Sequence, residues 1–132
     1  MAKASIILAD DHALFRRTLR QIIEKDPGLN VIGEAENGVE LIRILKKTLP
    51  EIVIFDISMP RLSGLKAASI IKQLFPGIKI LILSMHSEKE YLSRASEIGV
   101  EGYLLKKDIN DLNLVIKSIL ASEKYFLSHQ LD

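Results

Sequence analysis

The sequence contains no cysteine. That absence excludes disulfides, thiolate metal sites and a cysteine nucleophile, and it fits a chain kept in a reducing cytosol. Charge of one sign is scarce too. Eighteen Lys and Arg residues stand against seventeen Asp and Glu, a formal charge of +1 at neutral pH. No broad basic field results, so nucleic-acid binding by this segment is not expected. No apolar run approaches the roughly 18 residues that span a bilayer, and Met1-Ala2-Lys3 leads into a strand-like run without a signal peptide. Nucleotide-binding loops of the Gly-x-x-x-x-Gly-Lys or Gly-x-Gly-x-x-Gly kind are missing. Repeats, low-complexity tracts and interior linkers are missing as well. The expectation is a soluble, cytoplasmic domain with no membrane partner.

What the chain does have is 132 residues, 48% of them hydrophobic, enough for one domain with a buried core. The stretch Ile52-Val53-Ile54-Phe55-Asp56 has the pattern of a strand buried on both faces and closed by a carboxylate. Pro60 and Gly64 then mark an irregular loop. A carboxylate in that place sits where α/β sheets put their ligands, and burying it alone would cost about several kcal/mol.

Similar strand runs recur at Ser5–Ala9, Val31–Ala35, Ile78–Leu83 and Gly102–Leu105. Glu34 makes the second run half polar, which suits an edge strand. Between the runs, apolar residues repeat at helical spacing. They are Leu14, Phe15, Leu19, Ile22 and Ile23; Leu41, Ile42, Leu45 and Leu49; Leu65, Ala68, Ile71 and Leu74; Tyr91, Leu92, Ala95 and Ile98; and Leu112, Val115, Ile116, Ile119 and Leu120. Five strand–helix alternations predict a doubly wound α/β fold, a five-stranded parallel sheet with helices on both faces. Parallel strands present their carboxyl ends along one edge. That edge would gather Asp10, Asp11, Asp56, Ser84 and Lys106. Three carboxylates favour a hard divalent cation with oxygen ligands, and Mg²⁺ (or Mn²⁺) together with Lys106 would cancel their charge. A phosphoryl group arriving at Asp56 would then meet metal, ammonium and hydroxyl.

The order Asp-Asp, Asp-x-x-Met-Pro-x-x-x-Gly, Ser and Gly-Tyr-x-x-Lys resembles the receiver domain of bacterial two-component response regulators. The resemblance implies the flavodoxin-like strand order 2-1-3-4-5, a receiver over residues 4–125 and a tail at 126–132 that begins the linker to an absent output domain. It implies Asp56 as the acceptor of phosphate from a sensor histidine kinase. Asp11 and Asp56 would ligate the metal by carboxylate, Ser58 by its backbone carbonyl and Asp10 through a bound water. Lys106 would pair with phosphoryl oxygens, Ser84 would move to bond them, and Tyr103 would rotate into the space left. Such a switch needs about 5.5 kcal/mol of differential stabilisation to go from mostly off to mostly on. The thinly apolar helix at 88–98 is a natural moving element. Leu83-Ser-Met-His86, Gly102-Tyr-Leu-Leu-Lys106 and Glu123-Lys-Tyr-Phe-Leu-Ser128 are similar to NarL/FixJ (LuxR-type) transcription regulators. DNA binding would then belong only to an absent C-terminal helix-turn-helix domain.

Lys107 departs from the family pattern, which often has proline there with a cis peptide. A cis bond before lysine costs roughly 3–4 kcal/mol, so the loop is expected to be trans or strained. Met85 and His86 are expected at the mouth of the site, restricting attacking water. Plainer readings stand beside these. Asp10 and Asp11, or Ser84, can simply cap helices, Lys106 can be solvated with Lys107, and Tyr103 can be an ordinary edge-strand aromatic. His12, His86 and His129 are too scattered to suggest a histidine metal site. Ile109 and Leu114 hint at an apolar surface for a phosphorylation-dependent homodimer. The rival functions are an Mg²⁺-dependent aspartyl-phosphate phosphatase or phosphotransferase, disfavoured because Ser58 replaces the acid such enzymes carry two residues after the nucleophile, and a non-phosphorylated scaffold.

Overall fold

The computed structural model describes residues 3–126. The expected tail beyond Phe126, the Leu127-Ser128 end of the last motif and His129 lie outside the described residues. Five strands alternate with five helices: β1 (Ala4–Ala9), α1 (Ala13–Glu24), β2 (Leu29–Ala35), α2 (Gly38–Leu45), β3 (Ile52–Asp56), α3 (Gly64–Leu74), β4 (Lys79–Ser84), α4 (Lys89–Ile98), β5 (Gly102–Leu105) and α5 (Leu112–Leu120). All strand pairs are parallel, in the order β2-β1-β3-β4-β5. This is the flavodoxin-like sheet expected from the sequence.

Side chains alternate across each strand, so one apolar run fills two cores. Ile7, Val53, Phe55, Ile80, Ile82 and Tyr103 pack on the α2, α3 and α4 side. Ile6, Leu8, Ile54, Leu81, Leu83 and Leu104 pack on the α1 and α5 side. β3 pairs on both edges and is buried at every residue, which explains its unbroken apolar run. β2 is an edge strand as its polarity predicts. Its register slips between Ile6↔Val31 and Ile7↔Gly33, a bulge that leaves Ile32 exposed. Glu34 on this strand holds Arg16 at 2.8 Å and Arg20 at 2.6 Å, tying the edge to α1.

Several expectations need correction. Leu14, Leu49 and Leu74 belong to no core and are well exposed. Leu14 lies off the face that buries Leu19 and Ile23, Leu49 follows the end of α2, and Leu74 is the last residue of α3. Ile109 packs against the α1–α5 core instead of extending a surface, while Leu114 is exposed. The run Lys106–Asp111 winds as a 3₁₀ helix into α5, and the Lys106–Lys107 peptide is trans, one of the two outcomes expected of it. Past α5 the chain returns to the free edge of β5. Tyr103 N–H donates to the Tyr125 carbonyl at 2.8 Å, and Tyr125 N–H to the Glu101 carbonyl at 3.0 Å. Phe126 stacks on Tyr103 at 6.5 Å between centroids.

Candidate functional site

Three strands end in the same way. Asp10, the first residue after β1, accepts the His12 N–H on Oδ1 at 2.8 Å. Asp56, the last residue of β3, accepts the Ser58 N–H on Oδ1 at 2.9 Å. Ser84, the last of β4, accepts the His86 N–H on Oγ at 2.8 Å. In each case the side chain takes the N–H two residues on, a local turn that competes with the ladder and stops the strand. The same bond locks the side chain at the sheet edge. All three residues are buried.

Asp10 and Asp56 each keep a second oxygen free of that turn, and both point it at one cation. Lys106 Nζ lies 2.6 Å from Asp56 Oδ2 and 3.2 Å from Asp10 Oδ2. Burial opposes the charge on Lys106, but the hydrogen bond and charge of Asp56, with Asp10, outweigh it, so the ammonium titrates above the usual lysine range. The structure thus places Lys106 against both acids instead of in solvent beside Lys107, which is exposed. Its Nζ also stands 4.3 Å from the centroid of the Phe15 ring.

Asp11 is exposed beside this buried trio. His12 Nδ1 comes within 3.2 Å of Asp11 Oδ1 and 3.4 Å of Asp10 Oδ1. Among the described residues, Asp10, Asp11 and His12 are the group whose donor atoms lie close enough together, within 4.8 Å, to share one ion. Asp56 is outside that group, its oxygens turned to the Ser58 N–H and Lys106. The donor chemistry still fits a hard cation: three carboxylates face one ammonium, and a divalent ion would balance the excess. His12, which sequence reasoning set aside, is drawn in by the Asp10 turn.

The loop after β3 presents Asp56 by close packing. Gly64 N–H bonds the Ile57 carbonyl at 2.9 Å. A Cβ on Gly64 would fall 2.6 Å from both the Asp56 carbonyl oxygen and Ile57 Cα, so only glycine lets α3 start against this strand end. Leu62 N–H bonds the Pro60 carbonyl at 2.8 Å around Arg61, whose φ of +69° is unusual for a side-chain-bearing residue. Ser58 is exposed at the rim of this loop.

Across the site, a cleft of about 210 Å³ is lined by Ser84, Met85, Ser87, Leu105 and Lys107. Met85 is 77% exposed at its rim. His86 stacks on Tyr91 at 5.0 Å, and its carbonyl accepts the Tyr103 hydroxyl at 2.8 Å. Tyr103 is fully buried, and burial pushes its phenol above the usual range. The ring therefore already lies inside, whereas the resemblance puts it there only after a switching step. Its place on the α4-facing side of β5 supplies apolar neighbours without any movement at Asp56. Phe15 was legible only as an apolar residue of α1, since nothing in the helical spacing says that Lys106 would come beneath it. Arg16 braces the same corner, donating to the Asp10 carbonyl at 2.5 Å while it holds Glu34.

Residues 6–117 match the family model of the response regulator receiver domain. The uncharacterised transcriptional regulatory protein YxjL of Bacillus subtilis is 38% identical over 125 residues, covering 94% of this chain and 57% of that protein. The chain spans about half the length of the curated relatives it matches. A crystal structure of a LuxR-family two-component response regulator from Aurantimonas sp. SI85-9A1 superposes with a TM-score of 0.90 at 35% identity, covering 94% of this chain and 89% of that one. The isolated receiver domain of RcsB from Salmonella enterica serovar Typhimurium, in the presence of phosphomimetic BeF₃⁻, gives 0.91 at 29% identity over 98% and 99% of the two chains.

Proposed function

We propose, from the premise that this chain belongs to the response regulator receiver family, that it is a phosphorylation-controlled switch with Asp56 as its acceptor. The observation that carries this reading is the partly buried Lys106 ammonium shared between the buried Asp56 and Asp10 at the sheet edge. In the transfer, an Asp56 carboxylate oxygen bonds to phosphorus as the N–P bond of a kinase phosphohistidine breaks. The leaving nitrogen keeps the electron pair. Mg²⁺ or Mn²⁺, when bound, would neutralise charge on the phosphoryl oxygens. Asp11, Asp56 and the Ser58 carbonyl would hold it, with Asp10 acting through water. Lys106 then turns one donor toward a phosphoryl oxygen, and the Ser84 hydroxyl, whose oxygen accepts the His86 N–H, would move to donate its O–H to another. Because His86 also carries the Tyr103 hydroxyl, any move of Ser84 is felt at Tyr103 and at α4. Met85 and His86, at the mouth, set how readily water reaches the acyl phosphate.

The domain's work is regulatory, not turnover of an external substrate. Ser58 offers no acid or base for a phosphatase, and the full acid–lysine set argues against an inert scaffold. The transcriptional role in the name of YxjL supports a protein whose DNA-binding part lies outside this chain, working in the cytoplasm beside a sensor histidine kinase and dimerising when phosphorylated.

The test is intact-mass analysis after incubation with acetyl phosphate, with and without Mg²⁺, beside Asp56→Asn. One added phosphoryl group that requires both Mg²⁺ and Asp56 is expected. A gain that survives Asp56→Asn, or no gain from acetyl phosphate or any phosphorylated kinase, overturns the reading.

A further inference from the structure

We infer that Phe15 is a positioning residue of the Asp56 site, its ring face holding the Lys106 ammonium where it serves both buried carboxylates. For the reaction it serves, the inference rests on the phosphoacceptor reading above. α1 begins at Ala13, directly after the Asp10 turn, so Phe15 falls in its first helical turn. The local bond that fixes the Asp10 carboxylate therefore also fixes where the Phe15 ring comes to lie.

An ammonium has three N–H donors. For Lys106, one direction is taken by Asp56 Oδ2 at 2.6 Å, one by Asp10 Oδ2 at 3.2 Å, and the ring face lies 4.3 Å away on a further side. The Lys106 side chain is only 12% exposed, so little water competes for that side. The face of an aromatic ring carries negative potential, and its attraction for a cation grows as water is excluded. An aliphatic side chain in the same place would strip water from the ammonium and return nothing. The neighbours of Phe15 do not share this role, since Leu14 is 76% exposed and Arg16 is engaged with Glu34 and the Asp10 carbonyl.

The consequence for the reaction is geometric. As a phosphoryl group joins Asp56, Lys106 must pass one hydrogen bond from the carboxylate to a phosphoryl oxygen. A lysine stem has many rotamers. A nitrogen held against a fixed ring face shifts that bond without a search, which is how pre-positioning lowers a barrier. The ring also walls the α1 side of Lys106, leaving the exposed Ser58 and Met85 side for the phosphodonor.

Two measurements on the intact chain test this. In the unphosphorylated protein, the Lys106 ε-methylene protons should be displaced upfield by the Phe15 ring current, and Phe15→Leu should abolish the displacement. With acetyl phosphate and Mg²⁺, Phe15→Leu should slow phosphoryl gain about tenfold, while Phe15→Tyr stays near wild type. Replacing Phe15 with 3,4,5-trifluorophenylalanine keeps shape and packing but empties the ring face of negative potential, and its rate should fall between those of Phe and Leu. A rate indifferent to fluorination, or a wild-type protein lacking the upfield displacement, overturns the inference even if Asp56 is phosphorylated normally. A ring-current displacement present and lost as expected, in a protein that never gains phosphate, supports the placement of Lys106 and removes the phosphoacceptor reading instead.

Discussion

Lys106 is the residue on which the site's electrostatics turn. Without it, two buried carboxylates would face each other across a sheet edge with no cation between them, an arrangement costing about several kcal/mol. Asp10 and Asp56 are each fixed by a local turn of their own, so both acids are held before Lys106 reaches them. Ser84, Met85 and His86 form the opposite lip. His86 uses its N–H on Ser84, its carbonyl on Tyr103 and its ring on Tyr91, so truncating its side chain leaves both backbone bonds in place. Met85→Ala and His86→Ala should therefore leave phosphoryl gain intact but let water in, shortening the life of the acyl phosphate several-fold. Following mass loss after removing the donor checks this; lifetimes equal to wild type would remove both residues from that role.

Among the elements, β2 and α1 are joined by charge, and α4 is joined to the sheet by apolar contact. Glu34 meets Arg16 and Arg20 in a partly buried cluster. Burial pushes the Glu34 carboxyl up, but the hydrogen bonds and charges of Arg20 and Arg16 outweigh it, and the carboxyl titrates below its ordinary value. A depressed carboxylate contributes stability that is present above the unfolded value near 4.5 and is lost as pH falls through the folded one. Glu34→Gln should cost about 1 kcal/mol at neutral pH, with the difference from wild type shrinking as pH falls below 4.5. Urea unfolding at pH 7 and at successively lower pH measures it; a difference that grows on acidification would contradict the assignment. α4 has a different character. Leu92 and Ala95 are its buried residues, and it ends on Gly99 with φ of +97°. Tyr91 and Ile98 add partly buried contacts, and the helix begins just after the Ser84–His86 lip.

Taken whole, the molecule is a parallel sheet between two apolar cores, with its buried polar residues Asp10, Asn37, Asp56 and Ser84 at the carboxyl ends of the strands. Asp10, Asp11 and Asp56 exceed Lys106 in charge there, so a divalent cation should stabilise the folded state in proportion to its occupancy. At a Mg²⁺ concentration of about 100 times its dissociation constant the gain would be about 2.7 kcal/mol. Tm should rise with added Mg²⁺, and the rise should vanish in an Asp11→Asn, Asp56→Asn double variant. An equal rise in that variant would place the ion elsewhere. The free edge of β5 is covered by Tyr125 and Phe126 of the chain's own later segment, which sets that segment directly beside Tyr103.

The sequence alone determined the strand–helix alternation and which polar residues end the strands. Strand and helix periods are local properties, and parallel strands share their carboxyl edge, so Asp10, Asp56, Ser84 and Lys106 were expected along one edge, while the strand order came from the resemblance. The edge position of β2 followed from Glu34 in the same way. Tertiary packing alone decided which apolar residues were left outside, because Leu14, Leu49 and Leu74 satisfy a helical period yet meet no sheet. It also decided that Phe15 would cover Lys106 and that Tyr103 would already be buried. Those contacts span β1, α1, β4 and β5, and periodicity within one element carries no information about what another element brings against it.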